Sequence, residues 1–255
     1  MKDKKSQFAA NYALRFTFFS IVTALMTLLL VILISKFNTH AAVPDTNGGI
    51  SASTEKASIT VVIDAGHGGE DGGTSGSTGI AEKELNLEIS FLLADMLRAN
   101  GVDVVMTRTE DILLYDPNSD HQGRKKVLDL AARLKIARET ENSIFVSIHM
   151  NAFPQTQYSG LQVYYSKNDA DSKRIADLIQ SNVKTYLQNE NDRQTKAATS
   201  SIFLLDRLET PAVLIECGFL SNPEECRLLS TSEYRKKLAF VIFCSITDYI
   251  SNNNS

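Results

Sequence analysis

Residues 60–73 read TVVIDAGHGGEDGG. The β-branched run before Asp64 has the composition of a buried strand, and the glycines after it end that strand at His67. Two later segments repeat the arrangement. In 144–153, IFVSIHMNAF, His149 closes an apolar run, and in 211–222, PAVLIECGFLSN, Glu216 closes another. The segment 79–89, GIAEKELNLEI, puts Glu82 at the start of a helical pattern. In open α/β sheets, chemistry collects outside the carboxyl ends of the strands. Three strand ends and one helix start therefore carry His67, His149, Glu216 and Glu82 towards a common region.

Working outward, strand-like runs fall at 59–64, 102–107, 144–149, 161–165, 202–205 and 212–216. Helical periodicity covers 82–100, 124–139, 170–188 and 233–251, with Leu85, Ile89, Leu92, Leu93 and Leu97 forming one apolar stripe. This alternation predicts an α/β fold: a three-layer sandwich with a single mixed β-sheet of about six strands flanked by helices. About 200 residues after the tether described below suffice for one such domain.

Two histidines and a carboxylate match the ligand set of a catalytic zinc, which leaves a fourth position for water. The remaining acid is what a zinc hydrolase needs as general base. His67, Glu82 and His149 are read as the ligands and Glu216 as the base. Taken singly, each has a plainer explanation. His67 could bond to loop backbone, Glu82 could answer the helix dipole, and His149 could be a satisfied core histidine. Glu216 is the hardest to explain that way, because a carboxylate after Val213-Leu214-Ile215 must be paired, protonated or functional. The glycines around His67 do not form a nucleotide loop: the third fingerprint glycine is missing, and Glu70 and Asp71 would repel phosphate. They suit a close backbone wrap around a ligand histidine. Asp64 either orients a ligand histidine or caps a turn, and Asn151 either meets substrate or forms a turn.

The four segments together resemble the zinc-dependent N-acetylmuramoyl-L-alanine amidases of the type 3 family, over residues 59–250. The resemblance rests on Asp64-Ala65-Gly66-His67-Gly68-Gly69, Glu82-Lys83, Ser147-Ile148-His149-Met150-Asn151-Ala152 and Glu216-Cys217-Gly218-Phe219-Leu220-Ser221-Asn222. It implies one Zn²⁺ on His67, Glu82 and His149, catalysis by Glu216, and peptidoglycan (a muramyl peptide) as substrate. The stretch 123–138, GRKKVLDLAARLKIAR, with no extra module, is similar to the germination-specific amidases of endospore formers. That likeness implies a role in spore cortex, where removal of stem peptides allows muramic-δ-lactam to form. The alternatives are a general wall-remodelling amidase, a zinc peptidase or deacetylase on peptidoglycan, and an inactive tethered wall-binding scaffold.

The first part of the chain bears on location. Residues 16–34 hold no charge, after Lys2, Lys4, Lys5 and Arg15. Nineteen residues can just span a bilayer, and the basic flank belongs on the cytoplasmic side. The expected organisation is a cytoplasmic terminus (1–15), a transmembrane signal anchor (16–35), a flexible tether (36–57), a catalytic domain (58–251) and a tail (252–255). The domain is then extracytoplasmic, on a single-pass membrane protein or secreted if the signal is cleaved, with targeting supplied by the anchor or by an extracytoplasmic accessory protein.

Of 26 basic and 30 acidic residues, positions 1–36 take five and one, leaving 21 against 29. That balance argues against nucleic acid as a partner. Arg124-Lys125-Lys126 reads as a solvated helix start that could also touch wall-peptide carboxylates. Cys217 beside Glu216 is not expected to be a nucleophile, since both strong histidines serve the metal. Spacing leaves a Cys217–Cys226 disulfide open.

Overall fold

A computed structural model describes residues 58–116, 118 and 121–253. The expected cytoplasmic terminus, anchor and tether lie outside the described residues. No described helix is long and apolar enough to cross a membrane.

The first half of the chain alternates strand and helix: β1 (Thr60–Ala65), α1 (Glu82–Ala99), β2 (Asp103–Met106), α2 (Lys125–Glu139) and β3 (Ser143–Asn151). The second half continues with β4 (Gln162–Tyr165), α3 (Ala170–Tyr186), β5 (Lys196–Ala197), α4 (Phe203–Arg207), β6 (Ala212–Phe219), α5 (Pro223–Leu229) and α6 (Ser232–Asn253). The six strands form one mixed sheet in the order β2-β1-β3-β6-β4-β5, with only the β4–β6 pair antiparallel.

Alternation along the strands fixes what each layer covers. Val61, Ile63, Ile144, Val146, Ile148, Val213 and Ile215 face α1, α3 and α6 in the larger core. Val62, Phe145 and Ala212 face Leu134 and Ala137 of α2 and Leu204 and Leu205 of α4. The chain winds outward from β1 to β2, then doubles back past β1 to β3. Right-handed crossovers in opposite directions demand helices on opposite faces, which is where α1 and α2 lie. The carboxyl ends of β1 and β3 thus flank the topological switch point, where such sheets bind ligands. His67 and His149 stand at those two ends.

Residues 202–205, expected as a strand, are instead the start of the short helix α4. A run of four apolar residues is too short for its period to separate the two. As a helix it buries both Leu204 and Leu205 beneath the sheet. The sixth strand is the two-residue β5, whose side chains are exposed and carry no apolar signal. Helix α5 was also invisible to periodicity. Its start is specified by turn chemistry: Asn222 accepts from the amides of Glu224 and Glu225, and Pro223 follows at the first helical position. The last helix runs to Asn253, past the expected domain end at 251.

Candidate metal and catalytic site

Glu82 is the hub of the site. It opens α1 and is 3 % exposed. Its Oε1 lies 3.2 Å from His67 Nε2 and 3.0 Å from His149 Nδ1, and accepts the amide of Met150 at 3.0 Å. Its Oε2 accepts the amide of Thr74 at 2.9 Å. The segment that delivers this amide passes so close that a Cβ on Gly73, where φ is +66°, would overlap the carboxylate. One potential ligand atom from each of His67, Glu82 and His149 lies within 4.8 Å of the others. Burial raises the pKa of Glu82, but hydrogen bonds and charge from His149 and His67 outweigh it, so the group is held well below the usual carboxylate range.

His67 itself adopts φ +61°, a left-handed conformation that is uncommon without glycine and concentrates at functional sites. Two buried arginines hold it there. Arg133 donates to the carbonyls of Ala65 and His67, each at 2.7 Å. Arg108 donates to the carbonyls of Ala65, Gly66 and Lys83 at 2.8, 3.0 and 2.8 Å. Nδ1 of His67 lies 3.0 Å from Asp71. Burial lowers the pKa of His67, but Glu82 and Asp71 together raise it above its ordinary value. The ring of His149 rests on Gly66, where any side chain would overlap it.

Asp64 neither orients a histidine nor caps a turn. It lies inside β1 and accepts from Thr107 Oγ1 (2.8 Å), Ser147 Oγ (2.7 Å) and Arg133 Nη1 (2.7 Å). Arg133 Nε also pairs with Asp129 at 2.8 Å. Two buried aspartates thus balance two buried arginines beneath the His67 loop. Burial opposes the charge on Asp64, yet Arg133 and Ser147 hold its pKa below the ordinary carboxylate value. Burial and the neighbouring Arg133 lower Arg108 to about 10, so it stays charged at neutral pH.

Glu216 sits directly opposite His149 in the β3–β6 register. It lines a cavity of about 240 Å³ with His67, His149, Asp71, Lys126 and Phe203. Its Oε2 is buried without a hydrogen-bond partner. Burial raises its pKa to about 7, helped by Glu82 and opposed by His149 and His67. Cys217 points to the other face and is fully buried, which pushes its thiol well above the ordinary value. All three cysteines are free. Lys125 and Lys126 pair with Glu70 (2.8 Å) and Asp71 (3.1 Å), so both ammonium groups are already partnered by side chains of the loop after His67.

The structure therefore gathers all four sequence-selected residues. It adds Arg108, Arg133, Asp71 and Gly73, which the reading of motifs passed over. Arg133 had a signal: it falls on the apolar stripe of α2 with Leu130, Leu134 and Ala137, where a charge needs a buried partner.

The sequence pattern of the N-acetylmuramoyl-L-alanine amidases matches residues 61–248. This chain belongs to that family. The germination-specific N-acetylmuramoyl-L-alanine amidase of Bacillus subtilis is 35% identical over 191 residues, covering 75% of this chain and 79% of the relative. Among solved structures, the CwlD amidase from Clostridioides difficile, in complex with the GerS lipoprotein, is 38% identical with a TM-score of 0.71, covering 76% of this chain and 98% of its own. The amidase AmiC2 of Nostoc punctiforme is 29% identical with a TM-score of 0.65 and similar coverage, 76% and 97%. The amidase described here is an enzyme of peptidoglycan, and the scaffold alternative falls away.

Replacing Asp64 by Asn leaves part of the Arg133 charge buried and unpaired, so this amidase should lose about 3 kcal/mol in stability at neutral pH. Because the folded pKa of Asp64 lies below its unfolded value, that contribution is present above the ordinary carboxylate range. It fades as pH falls through the folded value. Urea midpoints of the two proteins should therefore converge on acidification, and a constant gap down to strongly acidic pH would refute the assignment. Gly73→Ala should abolish high-affinity metal binding while the far-ultraviolet circular dichroism stays native.

Proposed function

We propose that this amidase uses zinc bound by His67, Glu82 and His149, that Glu216 is its general base, and that its substrate is the spore-cortex amide between muramic acid and L-alanine. The observation that carries the reading is the convergence of two imidazole nitrogens on one carboxylate, with Glu216, whose Oε2 has no hydrogen-bond partner, lining the adjoining cavity. Two imidazoles and a carboxylate are a usual catalytic zinc set and leave a position open for water. Of the ring nitrogens, Nε2 of His67 and Nδ1 of His149 face Glu82 and are the ones placed to bind. A zinc ion there polarises carbonyl oxygens and lowers the pKa of coordinated water towards ~7.

The rest of the chemistry falls to side chains. Glu216 takes a proton from the attacking water at its free Oε2 and returns it to the amine of L-alanine as the amide breaks. Leu204, Leu205 and Leu214 line the same cavity beside Glu216. Arg108 and Arg133 keep His67 in its left-handed conformation, so ligand geometry does not have to be organised during the reaction.

The cortex assignment, with muramic-δ-lactam as the eventual product, draws on the germination-specific relative. The apolar segment 16–34 supports a membrane-anchored enzyme with its domain outside the cell. The complex of the CwlD amidase with a lipoprotein supports an accessory protein on the same side.

With zinc supplied, the full chain should release stem peptides bearing a free L-alanine amine from cortex peptidoglycan, read by mass spectrometry. Glu216→Gln should keep one zinc and lose turnover by 10²–10⁴-fold, whereas His149→Ala should lose both. Equal turnover in the Gln variant would sink the base assignment. Muramic-δ-lactam persisting in spores that lack the protein would move its substrate to the vegetative wall.

A further inference from the structure

Glu216 has a register partner on each side. On β3 it is His149, and on β4 it is Gln162. Two residues along, Leu214 lies opposite Tyr164, and Tyr164 opposite Lys196 of β5. Paired residues point to the same side of a sheet, so Gln162, Tyr164 and Lys196 continue the face that carries Glu216. A register shift between His149 and Asn151 sets Phe219 opposite Asn151 and turns its ring onto this face as well. Together with Arg193 these residues line an open depression of about 230 Å³ beside the catalytic cavity.

The depression is cationic. Arg193 is fixed in place: its Nε donates to the Ser159 carbonyl at 2.6 Å, its Nη1 to Gln162 Oε1 at 3.3 Å, and its guanidinium lies 4.4 Å above the Phe219 ring. Its backbone amide is held by Asn191. Among the described residues no acidic side chain forms an ion pair with Arg193 or Lys196, unlike Lys125 and Lys126. The nearby Glu225 has its oxygens engaged by the amides of Gly160 and Phe219. A preorganised guanidinium and an unpaired ammonium on an otherwise acidic chain are suited to an incoming carboxylate.

We propose that Arg193 and Lys196 bind the α-carboxylate of the acidic residue that follows L-alanine in the stem peptide, and so set specificity on the leaving-group side of the cut. The inference rests on the amidase reading. In a muramyl peptide the glycan offers hydroxyl and acetamido groups, and the free carboxylates belong to the peptide. Two strand spacings and two residues along the strands separate Lys196 from Glu216, roughly 12 Å between α-carbons. Extended peptide covers that in about three to four residues, and the lysine side chain shortens the gap. The second residue is therefore in reach. Its carboxylate or carboxamide state is the property the pair reads.

Calorimetric titration of the full chain with two tripeptide amides tests this without needing turnover. One is L-alanyl-γ-D-glutamyl-L-lysinamide, and the other carries isoglutamine in place of glutamate. The carboxylate form should bind about tenfold tighter, with the margin shrinking as salt rises. Arg193→Gln and Lys196→Gln should each narrow the ratio to about threefold or less. Lys196 is exposed, and among the described residues its ammonium forms no ion pair, so its variant answers even if the arginine variant misfolds. Equal affinity of the wild type for both peptides, or a ratio unchanged in the Lys196 variant, overturns the subsite. If a muramyl tripeptide is instead cut at another bond while the binding preference holds, the amidase reading fails and the carboxylate site stands.

Discussion

The guanidinium of Arg133 ties its own helix to the first strand and the loop that follows it, 66 to 69 positions earlier in the sequence. It pairs with Asp64 in β1 and Asp129 in its own helix, and it donates to the carbonyls of Ala65 and His67. Helix α2, the first strand and the loop that presents His67 are thereby locked to one another. A buried ion pair of this kind is weak evidence for stability in itself, since desolvation consumes most of the attraction. Here its effect is positional. The loop after β1 has few apolar contacts of its own and owes its shape to donors aimed at its carbonyls.

That arrangement explains how a histidine comes to occupy a left-handed conformation. The local cost is of the order of 1–3 kcal/mol, and the arginine hydrogen bonds offset it. Glu82 is held in a similar way from the opposite side, by the amides of Thr74 and Met150. The site is therefore organised by main-chain groups on both flanks, with Gly66 and Gly73 supplying the two positions where backbone must pass against a functional side chain.

Much of this was legible in the sequence because the strand ends are loud. Apolar β-branched runs that stop at His67, His149 and Glu216 carry both the fold and the proposed chemistry in the same residues. The failures have a common physical origin. Residues 202–205 and β5 are short, and a run of two to four residues has no readable period. Asp64 was misjudged because its partners, Thr107, Ser147 and Arg133, lie 43, 83 and 69 positions away. The carboxylate-binding face was silent for the same reason. Gln162, Arg193 and Lys196 become neighbours only through the reversed strand β4 and the bulge opposite Asn151.

The reversal of β4 has its own outcome for how such enzymes diversify. β3 ends at the site and β4 begins beside it, and the connection between them contributes Phe153 and Tyr158 to the wall of the depression that holds Arg193. Residues 152–159 are all exposed, and no described helix or strand lies within them. Length changes there would leave both cores, the Arg108 and Arg133 hydrogen bonds and the four clustered side chains in place, while altering the wall around Arg193. Rebuilding this one surface segment would therefore reshape the approach to Arg193 while the cluster of His67, Glu82, His149 and Glu216 stays as it is.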